Sequence, residues 1–106
     1  MRVYLPATLS SLSAAVSAGE HGPAPLTGFA VTPALREWYL DDDVDELEYA
    51  AFIEAARGSL RLLDADPLAA RRRVVISADV SDGLVTAHPE LDRAVVRVSQ
   101  PVPVGS

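Results

Sequence analysis

The sequence predicts one small α/β domain, with helices packed on a mixed, mainly parallel sheet of about four strands. Three observations predict it. The chain has 106 residues, which fits one domain and excludes two. Apolar residues make up 49% and charged residues 23%, ordinary globular usage that excludes a disordered or fibrous chain. Short β-favouring runs alternate with segments of helical period in the order β-α-β-α-α-β-β. Right-handed crossovers would set the first three strands parallel and let the fourth return antiparallel beside the third. The expected domain covers residues 1–99, with 100–106 as an extended tail or truncation point.

Arg2-Val3-Tyr4-Leu5 favours a strand that Pro6 stops. Thr8 then caps a helix over 9–18, in which Leu9, Leu12 and Val16 share one face and Gly19 supplies the left-handed stop. Gly22 and two prolines make 20–25 a loop, and 28–31 a second strand. Thr32-Pro33 starts a short helix to residue 40, with Leu35, Trp38 and Tyr39 inward. Asp41, Asp42 and Asp43 break it, and Asp43 followed by Glu46 resembles a capping box for a long helix over 44–63.

On that helix Glu46, Glu54, Arg57, Arg61 and Asp64 form one narrow polar stripe. Tyr49, Phe52, Ala56, Leu60 and Leu63 occupy a second side, and Val44, Ala51, Ala55 and Leu62 a third, so the helix needs cover on two sides. Val74-Val75-Ile76 bears the mark of a strand buried on both faces. Ser81-Asp82-Gly83 is turn chemistry. The last strand, 94–99, alternates: Arg93, Val95, Arg97 and Ser99 point one way and Ala94, Val96 and Val98 the other, as in a half-exposed strand. The segment from Pro101 to Ser106 is extended without regular pairing. No internal repeat is present.

Composition bounds the function. There is no cysteine, which removes disulfides, thiolate metal sites and thiol nucleophiles together. Nine basic residues, all arginine, face 15 acids for a net charge of −6, which opposes nucleic acid or an anionic membrane as main partner. Residues 1–53 hold two arginines and eight acids, while 54–106 hold seven of each, so the acidity belongs to the first half. The N-terminal stretch is interrupted by Pro6, Thr8 and several serines and reads as a mature, cytoplasmic start rather than a signal peptide.

The acids Asp41, Asp42, Asp43, Asp45 and Glu46 invite a hard-cation reading, but Glu46 stands where the calcium loop needs glycine and Phe52 where it needs glutamate. They read as a helix cap, and no metal or cofactor is assigned. In a parallel sheet Thr8, Thr32, Asp79 and Asp82 would gather beyond the strand ends, the candidate ligand-binding set. Their plainer reading is as caps and turn residues. His21 and His88 are too few for a histidine metal site, and no nucleophile or phosphate-loop motif occurs, so no catalytic residue is assigned. Arg71, Arg72 and Arg73 with Arg93 and Arg97 suggest a phosphate patch, or, more simply, solvated charges flanking a buried strand. Arg36, Trp38, Tyr39 and Tyr49 are the residue types that anchor interfaces, although core packing is the better reading of them in so small a domain.

Met1-Arg2-Val3-Tyr4-Leu5-Pro6-Ala7-Thr8, the block from Gly28 to Tyr39 (GFAVTPALREWY), Glu46-Leu47-Glu48-Tyr49-Ala50-Ala51 and Arg72-Arg73-Val74-Val75 together resemble a family of uncharacterised actinobacterial proteins classed as a domain of unknown function. The resemblance runs to about residue 99 and implies no reaction, cofactor or catalytic residue. The sequence therefore leads us to expect a small cytoplasmic binding module, with a homo-oligomer or a protein partner covering part of the long helix, and with no nucleic acid and no membrane. The alternative is a small-ligand or metal-dependent enzyme site at the carboxyl ends of the parallel strands.

Overall fold

Helix starts follow the local chemistry. The structure, a computed structural model, describes residues 1–39 and 43–104. The expected break at Asp41 and Asp42 lies outside the described residues. Thr8 caps α1 (Leu9–Ala18): its Oγ1 accepts from the Ser11 amide at 3.1 Å, while Ser11 Oγ accepts from the Thr8 amide at 2.9 Å. Gly19, at φ 79°, ends the helix in the left-handed region. Thr32 accepts from the Leu35 amide at 3.1 Å and opens α2 (Pro33–Tyr39). Asp43 accepts from the Asp45 amide at 3.0 Å and opens α3 (Val44–Ala65).

The strands are β1 (Arg2–Ala7), β2 (Glu20–His21), β3 (Leu26–Phe29), β4 (Val74–Asp79), β5 (Val85–Ala87), β6 (Val95–Val98) and β7 (Val102–Pro103). Five form one sheet in the order β4-β1-β3-β6-β5, and β2 pairs with β7 in a second. Every pairing is antiparallel, which overturns the mainly parallel sheet expected from the alternation of helix and strand.

The reason lies in residues 20–25. Tyr4 pairs with Phe29, so by antiparallel counting Ala7, where the chain leaves β1, stands opposite Leu26, where it re-enters. The ten-residue helix rises about 15 Å, and β2 with the bends at 23–25 carries the chain back to the end of β1 that it left. The longer excursion through α2 and α3 does join two like-directed strands, β3 and β4. They are not neighbours, because β1 lies between them.

β1 runs through Pro6 rather than stopping there. Met1 and Val80 exchange both backbone bonds, so odd residues of β1 face even residues of β4. Pro6 is even, and its missing N–H therefore falls on the β3 side, where the only paired residues are Tyr4 and Phe29. β4 is an edge strand, and Val74, Val75 and Ile76 are half-buried, so the doubly covered strand expected from that run is not found there. Double burial belongs instead to β6, where Val95 and Val96 point to opposite faces and both are buried.

One face carries α3: Leu47, Ala51 and Ala55 pack with Tyr4, Phe29 and Val95, and Leu35 of α2 joins them. Val3, Leu5, Leu26, Val96 and Val98 fill the other face. Val102 of β7 packs into this second cluster, so the segment expected to be an unpaired tail is paired with β2, and the Val104 amide donates to Gly19 O at 2.9 Å. Of the α1 face expected from Leu9, Leu12 and Val16, Leu9 and Val16 are exposed and Leu12 is half-buried, and Ala15 is the buried residue.

At the far end of β1 the long helix enters the ladder itself. Fully buried Ser59 donates from Oγ to Ala7 O at 2.7 Å and accepts from the Val74 amide at 3.0 Å, bridging the two strands where they diverge. Gly58 permits the approach, since a Cβ there would lie 3.1 Å from the Pro6 ring. Ser59→Ala would leave a buried carbonyl and a partly buried amide unpaired and is expected to lower stability by about 1–3 kcal/mol in urea unfolding. A loss below about 0.5 kcal/mol would mean that water replaces the bridge.

Candidate functional site

The residues expected at the strand ends divide between the two ends of the sheet. Arg2 pairs with Asp79 at one end of β1, whereas Thr8 follows Ala7, which pairs with Val74, at the other. Asp79 takes Arg2 Nε at 3.2 Å and Nη2 at 3.4 Å, and this bonding holds its carboxyl below the ordinary carboxylate range. Asp82 accepts from the Met1 ammonium at 3.0 Å. Thr32 is buried, and its hydroxyl donates to Arg93 O while serving as the α2 cap. Asp79 and Asp82 border different hollows and the threonines border neither, so the four groups do not converge on one cavity.

The arginines do not form one patch. Arg71 closes the C-terminal end of α3 by donating to Leu63 O at 2.6 Å and Pro67 O at 3.0 Å. Arg97 lies on β6, three strand spacings from β4, or about 14 Å. His88 pairs with Glu90 at 2.7 Å, and His21, on β2, is half-buried, which lowers its pKa. Among the described residues no three His, Asp or Glu side chains gather as a metal site requires, and no helix is long and apolar enough to cross a membrane.

The aromatic set is where the structure departs most from core packing. Trp38 is 60% exposed, Tyr39 47% and Tyr49 64%. Helix geometry explains it. Leu35 is the buried residue of α2, and a helix this short seats little more than one side chain. On α3 the core line runs Leu47, Ala51, Ala55, and Tyr49 stands about 200° around the axis from Leu47. The Arg93 guanidinium lies 3.5 Å from the centroid of the Trp38 ring, and Tyr49 stacks on Phe52 with centroids 6.4 Å apart. Arg36, also exposed, borders a different hollow, beside Met1 and Glu48.

Between the end of α2 and the outer side of α3 lies a groove of about 490 Å³ that Tyr39 and Tyr49 border, whereas Trp38 and Arg93 border a separate hollow. Tyr39 and Tyr49 form its aromatic walls, Ile53 adds apolar surface, and Asp45, Glu46 and Glu54 make it acidic. Arg57 is its cation, paired with Glu54 at 2.8 Å. Sequence reasoning missed Ile53 and the role of the acids. The available signal was the i, i+4 pair Tyr49 and Ile53, beside acids that read equally well as an N-terminal turn.

The chain belongs to DUF6912, a family of unknown function, whose profile matches residues 1–106. No curated protein and no solved structure matches it.

If Trp38 is a surface group, Trp38→Ala should cost no more than about 1 kcal/mol, the size of an exposed contact with Arg93. A loss of about 3–5 kcal/mol in urea unfolding, as for a core tryptophan, would contradict its placement.

Proposed function

We propose that this domain is a cytoplasmic, non-catalytic protein-interaction module and that its binding site is the groove between α2 and α3. The observation that carries the reading is the exposure of Tyr39 and Tyr49 at the walls of one concavity, with Trp38 displayed on the same short helix. Rigid aromatic side chains bury large area at small entropic cost and dominate interface energetics. Asp45, Glu46 and Glu54 at the groove select for positive charge, and Ile53 with the tyrosine rings selects for an apolar neighbour. The partner that fits is a protein segment that presents arginine or lysine next to an aliphatic or aromatic side chain. Cation–π contact with the tyrosines and ion pairing with the acids would then act on the same residue.

Selection of a displayed library of linear peptides on the chain, with counter-selection on the Tyr39→Ser/Tyr49→Ser variant, tests this. Enriched peptides should carry Arg or Lys within a helical turn of Leu, Ile or Phe. They should bind the variant at least about tenfold more weakly, or ~1.4 kcal/mol. Peptides that bind both chains equally, or an acidic consensus, would contradict the reading.

A further inference from the structure

We propose that two copies of this chain pair through the outer edge of β4, antiparallel and about a two-fold axis at Ile76, to make one continuous ten-stranded sheet. Even residues of β4 face β1, so the N–H and C=O groups of Val75, Ser77 and Asp79 point outward, and among the described residues no strand lies there. β4 shares with β1 the greatest strand length in the sheet, six residues, and within it there is no proline, bulge or lysine. Such an edge is a template for another strand.

Charge selects the occupant and the register. Arg73 immediately precedes the strand and Asp79, whose carboxylate already takes Arg2 of β1 and has oxygen lone pairs left for a second arginine, ends it; by strand parity the two fall on the same face. Placing Ile76 opposite Ile76 of a second copy sets Arg73 against the other copy's Asp79 at both ends, and Val75 against its Ser77 twice in between. Every outward group from 73 to 79 then finds a partner, and each opposite-charge pair is directly cross-strand. A shift of two residues would leave the arginine unopposed. The contact is self-complementary and closes at two copies, the commonest symmetry of soluble oligomers.

A second observation points the same way. Phe52, Ala56 and Ser59 share one flank of α3 by their i, i+4, i+7 spacing, and the Ser59 bond to Val74 places that flank on the β4 side. Phe52 meets Tyr4 edge-on at 5.9 Å yet is left 39% exposed. Because the two-fold is perpendicular to the sheet, the same flank of the second copy's α3 comes toward it, and Val74, Val75 and Ile76 become the interior strand their composition resembles.

The chain has no cysteine, so single replacements report cleanly. At Ile76 the pair is of the close, non-hydrogen-bonded kind, with Cα atoms about 4.5 Å apart and within disulfide reach. Sedimentation equilibrium should show a dimer of the full chain. Ile76→Cys should cross-link on oxidation, whereas Ser77→Cys, set diagonally and turned to the other face, should not. Ser77→Pro removes an outward N–H without touching the β1 ladder and should raise the dimer dissociation constant at least tenfold, with circular dichroism unchanged. Should that variant fail to fold, the Ile76→Cys cross-link decides alone. A monomer at all concentrations, a dimer indifferent to Ser77→Pro, or cross-linking at 77 instead of 76 would overturn the proposal.

Discussion

β1 is hydrogen-bonded to β4 along one edge and to β3 around Tyr4 on the other, it is covered on both faces, and the rest of the domain is arranged to keep it so. Its odd residues, including fully buried Val3 and Leu5, hold β4 through their backbone and pack with Val96, Val98 and Val102 through their side chains. Its even residues turn toward β3 and put Tyr4 under α3. Gly28 on β3 marks how tight this is: a Cβ there would come 2.7 Å from Val3 Cγ1 and 2.9 Å from Leu5 Cδ2. Elements at the margins answer to the same demand. β7 closes the second face with Val102, and Ser59 reaches from α3 to finish the ladder where Pro6 and Gly58 bring helix and strand together.

What could be read from the sequence was what nearby residues decide. Thr8, Thr32, Asp43 and Gly19 each act on an amide or a turn within three residues, and each does in the structure what its type implies. Strand direction was not legible, because it depends on the path that residues 20–25 take, and Gly22, Pro23 and Pro25 signal only the absence of helix. The place of β4 was misread for a related reason. Val74-Val75-Ile76 reports apolar surroundings, but a strand's neighbours come from elsewhere in the chain.

The aromatic site shows the same limit. Trp38, Tyr39 and Tyr49 were singled out as interface types, yet their exposure depends on Leu35 and Leu47 taking the inward positions of α2 and α3. Composition ranks those choices only weakly, since leucine is fully buried more often than tryptophan or tyrosine but all three types occur in cores. Once Leu47, Ala51 and Ala55 define the buried line of α3, its flanks acquire different surroundings. The flank with Phe52 and Ser59 overlooks β4, and that with Ala50 and Ile53 borders the groove beside Tyr39. The groove and the sheet edge are therefore different flanks of one helix, meeting where Tyr49 stacks on Phe52.

Residue-resolved amide exchange in dilute solution tests the central place of β1 most directly. The slowest amides should be those of Val3, Tyr4 and Leu5, with Ile76 and Ala78 of β4 protected and Val75 and Ser77 exchanging rapidly beside them. Fast exchange along β1, or uniform protection along β4 in the isolated chain, would contradict a central β1 with β4 bonded on one side alone.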